Sequence, residues 1–320
     1  MKSLNIVHIS PTPLVAAPGK IAKAQRQVGH NAICIIFSDY PAHTNLAGKF
    51  IEDSILFTQE LQKYLENSIA QADVIHIHNN CPYDKVKWIR ALNQEATFVY
   101  QIHSPMREGP VFLDRTEEIG LPFTKFLVVG QHHSKLYPNY IPVPNIIHSV
   151  PSLNLREKNE KLKVIYSPTN KHEGRWNNKF SATLDITLRS LKNLNLIEIL
   201  SFEKPIPPNT LMYLRRNAHL TIDEIATGGF HQVSLEGLCA GNVVINGSDY
   251  FGQVGFSRFT NYVLPPFQTA SDNDIQDVLL KFVDDVDLTR FWQQKSFEYF
   301  TQYLSPEKLV QFFIQAYGVA

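Results

Sequence analysis

The sequence predicts an α/β chain folded as two doubly wound, Rossmann-like domains facing a cleft. Three observations predict it. Apolar strand patterns alternate with helical patterns through the first half, the rhythm of a parallel sheet. Pro138, Pro142, Pro144 and Pro151 then interrupt it, which places a domain boundary there. A second strand–helix alternation follows from Lys163. The domains expected are 1–150, 151–304, and a terminal helical segment 305–320 that crosses back to the first.

In order, Asn5 to Ile9 reads as a buried strand, and Lys20 to Val28 as a helix stopped by Gly29. Ala32 to Phe37 is a strand, Leu56 to Gln71 a helix and Ala72 to His78 a strand. Lys85 to Asn93 is helical, and Thr97 to His103 and Phe126 to Val129 are strands. After the proline cluster, strands are expected at Lys163 to Tyr166, Leu196 to Leu200 and His219 to Ile222. Helices are expected at Lys179 to Leu191, Thr210 to Arg216, Asp274 to Asp284 and Thr289 to Tyr303. Ser305 with Pro306 opens a last helix to Tyr317.

Composition narrows the function. Lys plus Arg and Asp plus Glu are 30 each, so nucleic acid is not an expected partner. No apolar run reaches the roughly 18 residues of a membrane helix, and the polar turn after Ile9 argues against a signal peptide. Cys34, Cys81 and Cys239 lack C-x-x-C spacing, which fits a reducing cytoplasm and argues against a zinc site. Lys20, Lys23 and Arg26 share one helix, which allows at most weak peripheral contact with an anionic membrane.

The most informative segment runs from Gly228 to Ile245. A glycine turn with Gly229 and Phe230 leads into a short helix carrying Ser234 and Glu236, Gly241 ends it, and Val243 to Ile245 form a strand. Glycine lets a backbone approach closely, helix N-terminal amides meet phosphates, and a carboxylate accepts from ribose hydroxyls. The pattern suits a nucleoside diphosphate; a plain loop–helix–strand unit of an α/β protein is the alternative.

Four strand ends carry further polar groups, and ligands of open α/β sheets bind beyond such ends. The first is the Ser10 to Gly19 loop. It lacks the glycine patterns of a nicotinamide site and of a P-loop. The second is Asp73-Val74-Ile75-His76-Ile77-His78, whose histidines share one side of a strand. No further metal ligand sits at a telling spacing, so no metal is expected. The third is Gln101-Ile102-His103, followed by Arg107. The fourth is the loop Ser167 to Lys179, with Lys171, Arg175 and Lys179. A capping histidine and a solvated basic loop are the bland alternatives for the last two.

The Gly228–Ile245 segment resembles the donor-binding stretch E-G-F-G-x-x-x-x-E-A-M-A-x-G-x-P-V-I of GT-B glycosyltransferases of the family 4 type. The family's first glutamate falls on Gly228 here, and its proline on Val243. Asp223-Glu224-Ile225 is similar to a D-Q-L variant that also lacks that glutamate. D-V-I-H-x-H and the strand-end His103 match the family in order. The resemblance implies a nucleotide-sugar donor, a retaining transfer and no bound cofactor or metal. It implies Glu236 on the ribose, Lys179 with Arg175 or Lys171 on the diphosphate, and His103 on the sugar. It puts Gly19, His78 and Arg107 on the side of a glycan or lipid-linked acceptor, as in polysaccharide biosynthesis. A GT-B protein that binds without turnover, or a GT-B sugar-nucleotide epimerase, are the alternatives.

Overall fold

The computed structural model describes residues 2–39, 51–103, 115–131, 136–166, 179–200 and 206–319. In chain order the elements begin β1 (Asn5–Ser10), α1 (Ala17–Gln27), β2 (Asn31–Ile36), β3 (Ile55–Leu56), α2 (Gln62–Ala70) and β4 (Val74–His78). Next come α3 (Tyr83–Leu92), β5 (Thr97–Ile102), α4 (Arg115–Ile119), β6 (Phe123–Val129) and β7 (Ile141–Val143). The second run is β8 (Leu162–Tyr166), α5 (Ala182–Asn193), β9 (Ile197–Leu200), α6 (Pro208–Arg216), β10 (Leu220–Ile222), α7 (Gln232–Cys239) and β11 (Val243–Asn246). It closes with α8 (Tyr250–Ser257), β12 (Gln268–Thr269), α9 (Ile275–Asp284), α10 (Val286–Tyr303) and α11 (Pro306–Tyr317).

Two compact units result. One takes the chain up to Gly130, the later stretch ending at His148, and α11; the other takes Gln131 and Ser149 to Ser305. The first unit holds a seven-stranded sheet in the order β3-β2-β1-β4-β5-β6-β7, and the second a five-stranded sheet in the order β12-β11-β10-β8-β9. All pairings are parallel. Each order reverses once, at β1/β4 and at β8/β10, and these are the crevices where doubly wound sheets bind ligands.

Side-chain alternation makes the two faces of the first sheet unlike. Val7, Ile9, Ile75, Ile77 and Tyr100 pack with Leu65 and Ile69 of α2 and with Val86 and Ile89 of α3. The opposite face carries His8, His76 and His78, all buried, with His8 in register with His76. In the second unit Val164, Ile222 and Ile245 pack with Leu188 and Leu279.

Some local expectations differ. The helix expected from Leu56 starts at Gln62, because Ile55–Leu56 pairs with β2 as an edge strand. The proline-rich stretch contributes β7 on β6; Pro142 is tolerated because β7 is the sheet's last strand. Ser181, whose Oγ accepts from Leu184 N at 2.9 Å, starts α5 after Lys179. Helix α8 has a legible start in Asp249, whose Oδ1 accepts from Gly252 N at 2.8 Å.

Candidate functional site

In the second unit, α7 begins beyond the carboxyl end of β10. Gly228 adopts φ 75° in the turn before it, a left-handed conformation that glycine takes without strain. His231 is the N-cap of α7 but supplies no side-chain cap. Asp223 does so from the end of β10: its Oδ2 accepts from His231 N at 2.6 Å and from Ser234 Oγ at 2.8 Å. Asn246 Nδ2 donates to Ser234 Oγ at 2.9 Å. Burial opposes ionisation of Asp223, but the His231 charge and these donors outweigh it and hold its carboxyl below the usual range. Glu224 accepts from Ala226 N at 2.7 Å and Thr227 N at 2.8 Å, and from the Thr227 hydroxyl. The two acids thus fold the turn onto itself.

Glu236 is a turn further along. Its Oε2 accepts from Arg215 Nε at 3.1 Å and its Oε1 from Gln232 Nε2 at 2.8 Å. The Arg215 side chain is fully buried while that of Glu236 keeps 13% exposure, so the ion pair anchors the carboxylate from the interior side. Gly237 lets α7 lie on the sheet: a Cβ there would stand 2.8 Å from Val244 Cγ2 and 3.0 Å from Thr221 Cβ. Gly241, at φ 65°, ends the helix.

In the first unit the polar groups gather on one face of β1 and β4 and just past the end of β5. His103 Nε2 lies 2.8 Å from His78 Nδ1, His78 Nε2 lies 2.9 Å from His8 Nδ1, and His8 Nε2 lies 2.8 Å from Gln25 Oε1. Gln25 Nε2 donates to the Tyr317 hydroxyl at 2.9 Å, which lies 3.0 Å from His76 Nδ1. Asn79 Oδ1 accepts from His103 N at 2.7 Å. Burial drives the histidines toward the neutral form: His8 falls to about 4 and His103 to about 3, and His76 and His78 lie well below their usual value.

Among the described residues, His8, His76 and His78 also place one potential ligand atom each within 4.8 Å of one another. His76 and His78 nevertheless stack, with centroids 4.2 Å apart and planes at 25°. Imidazole lone pairs lie in the ring plane, so two stacked rings do not converge on one ion. The arrangement is a hydrogen-bonded relay.

The residues singled out from the sequence divide clearly. His78 and His103 are bonded to each other. Phe230 is buried, edge-on to Phe256 and Phe267, and Ser234 is buried between Asp223 and Asn246. Gly229 is buried in the turn. Gly19 lies within α1, not in an open loop, with the Glu52 carbonyl crowding the place where its Cβ would stand. Lys179 is half-buried just before α5. Arg107, Lys171 and Arg175 lie outside the described residues. Sequence reasoning missed His8, Gln25, Arg215 and Tyr317. His8 had a signal, as the polar residue inside the apolar run Ile6 to Ile9.

Among solved structures, the chain is similar to an alpha-glucosyltransferase in complex with UDP-glucose and DNA containing an abasic site. The TM-score is 0.62 at 10% identity, over 99% of this chain and 100% of that one. It is similar to a glycosyltransferase from Rickettsia africae, with TM-score 0.56 at 12% identity over 99% and 98%. It is also similar to a sucrose-phosphate synthase from Thermosynechococcus elongatus, with TM-score 0.56 at 10% identity over 98% and 100%. No protein-family model and no curated protein matches the chain. Two parallel doubly wound sheets, with a likeness spanning nearly the whole of each of these chains, give this protein the GT-B glycosyltransferase fold.

Proposed function

We propose that the chain is a glycosyltransferase that moves a sugar from a nucleotide-sugar donor to a glycan or lipid-linked acceptor, with retention and without a bound metal. The observation that carries this reading is the Gly228–Ile245 segment. It forms a glycine turn, a helix and a strand beside the β8/β10 crevice, with the Glu236 carboxylate held by Arg215. A carboxylate has lone pairs for more than two donors, so Glu236 takes ribose hydroxyls while keeping Arg215 and Gln232. Lys179, Arg175 and Lys171 are assigned to the diphosphate, where cations offset charge that builds on the leaving group. Gly229, Phe230 and Ser234 shape the turn. His103 is assigned to the sugar, and Gly19, His78 and Arg107 to the acceptor side.

In the reaction, the acceptor oxygen bonds to the anomeric carbon as the bond from that carbon to the phosphate oxygen breaks. The acceptor proton passes to the leaving phosphate on the same face of the sugar. The protein supplies position and electrostatics. The DNA named for the alpha-glucosyltransferase belongs to that protein. The balanced charge of this chain, 30 cationic against 30 acidic residues, favours a glycan or lipid-linked acceptor.

The test is release of nucleoside diphosphate from a panel of nucleotide sugars, with glycan, lipid-linked and duplex-DNA acceptors, with and without a chelator. Transfer to a glycan or lipid-linked acceptor that survives chelation supports the reading. Transfer to DNA alone would replace the acceptor class. Binding of a nucleotide sugar without turnover would make the chain a binding protein.

A further inference from the structure

The buried relay on the first sheet has a polarity, and that polarity reaches His103. Gln25 sets it. A carbonyl oxygen only accepts, so Gln25 Oε1 at 2.8 Å requires a proton on His8 Nε2. Neutral His8 then has a lone pair on Nδ1, and the 2.9 Å contact there requires a proton on His78 Nε2. Neutral His78 in turn offers Nδ1, and the 2.8 Å contact with His103 requires a proton on His103 Nε2. Among the described residues nothing takes the remaining site on that ring, the lone pair of Nδ1.

The other end agrees. Gln25 Nε2 donates to the Tyr317 oxygen, so the Tyr317 O–H donates to His76 Nδ1. His76 then carries its proton on Nε2. That atom and Gln101 Oε1 are both buried without a partner at hydrogen-bonding geometry. Gln101 is nevertheless the neighbour whose hydrogen bond favours protonated His76, which suits an N–H directed at a carbonyl. Turning the Gln25 amide over would reverse every bond in the relay and place a lone pair on His76 Nε2 instead.

We propose that Gln25, His8 and His78 are positioning residues that fix His103 as the Nε2–H tautomer, so that its Nδ1 accepts a hydrogen bond from a hydroxyl of the bound sugar. The role of the hydroxyl rests on the glycosyltransferase reading; the tautomer does not. A phosphate or carboxylate oxygen, which can only accept, is disfavoured at that nitrogen, and a hydroxyl is selected. Through Tyr317 the relay also ties the setting of His103 to α11.

The experiment is a long-range proton–nitrogen correlation spectrum of the full chain labelled in histidine nitrogen, at neutral pH and without substrate. The four rings should be neutral with the proton on Nε2. A proton on Nδ1 of His103, or exchange between its two nitrogens, would overturn the proposal. His78→Phe keeps a ring in the stack and cuts the relay, so His103 should lose its single tautomer. If that variant does not fold, Gln25→Leu cuts the relay upstream and must give the same loss. An unchanged His103 signal in the folded variant would overturn the proposal. Where turnover is found, the same variant should lower kcat/KM for the nucleotide sugar about three- to tenfold, the worth of one hydrogen bond. Nucleoside diphosphate affinity should stay unchanged. A correct tautomer in a protein that turns over no nucleotide sugar would leave the relay standing and sink the transferase reading.

Discussion

Arg215 and Glu236 form an ion pair at 3.1 Å in which the arginine side chain is fully buried and the glutamate side chain keeps 13% exposure. Two of the guanidinium nitrogens, Nη1 and Nη2, are buried without a partner. The charge of Arg215 is therefore held largely by one carboxylate. Glu236→Ala should cost about 3–5 kcal/mol of stability, because it leaves a buried charge unpaired. Glu236→Gln keeps an acceptor and should cost less. Urea unfolding of the three proteins checks this. Equal stability of Glu236→Ala and the parent would mean that Arg215 is satisfied elsewhere. Nucleotide affinity of these variants is therefore to be measured under conditions where each is folded.

That coupling shows where legibility in the sequence ends. Parallel strands buried on both faces read as apolar runs, so the doubly wound character was visible in Ala32 to Phe37 and Val243 to Ile245. Local signals also held: Gly29 closes α1 at φ 94° and Gly241 closes α7 at φ 65°. His78 and His103 were each visible as strand-end histidines. Their bond to each other was not, nor was the relay behind them. Gln25 and Tyr317 meet 292 positions apart, and His8 meets His78 across 70. No periodicity carries such pairings, because they follow from strand order and helix docking. Arg215 was invisible for the same reason: on its own helix it resembles any cation of a last turn.

The histidine relay makes the first unit sensitive to acid. His8 falls to about 4 and His103 to about 3 on burial, whereas an unfolded histidine titrates near about 6.5. Between those values the unfolded chain binds more protons than the folded one. Stability is therefore complete above about pH 6.5 and declines as pH falls toward about 4. Denaturant midpoints followed from about pH 7 to about pH 5 should fall before most carboxylates titrate. His78→Phe removes one of these buried rings and should make the decline shallower. A flat profile in the parent protein would mean that the relay takes up protons without unfolding.

Gly237 sets the distance between α7 and its sheet. A methyl group there would meet Val244 Cγ2 at 2.8 Å and Thr221 Cβ at 3.0 Å, closer than carbon atoms approach. Gly237→Ala should destabilise by about 1–3 kcal/mol through overpacking, despite the better helix propensity of alanine. Trimming the neighbour by Val244→Ala should recover part of the loss, so the double variant should be more stable than the sum of the two singles predicts. Strict additivity in thermal melts would show that the helix shifts freely and that the close approach is not required.

Asp223 holds the turn that precedes α7. It caps a helix whose own N-cap residue, His231, supplies no side-chain oxygen, and it orders Ser234, which in turn takes the Asn246 amide. Asp223→Ala would strand the His231 N–H and the Ser234 hydroxyl in a buried place, at a cost of about 1–3 kcal/mol. Asp223→Asn keeps one acceptor and should cost less. Because Asp223 and Ser234 share one hydrogen bond, Ser234→Ala should cost less once Asp223 is already alanine, what remains being the loss of the acceptor for the Asn246 amide. The loosened turn should appear as faster amide exchange at Gly228 to His231, a local opening detectable before global unfolding. On the proposed function the same loosening weakens nucleoside diphosphate binding about tenfold, the scale of one charge-assisted hydrogen bond. Faster exchange with unchanged nucleotide affinity would separate the turn from the donor site; unchanged exchange would show that Glu224 holds the turn without Asp223.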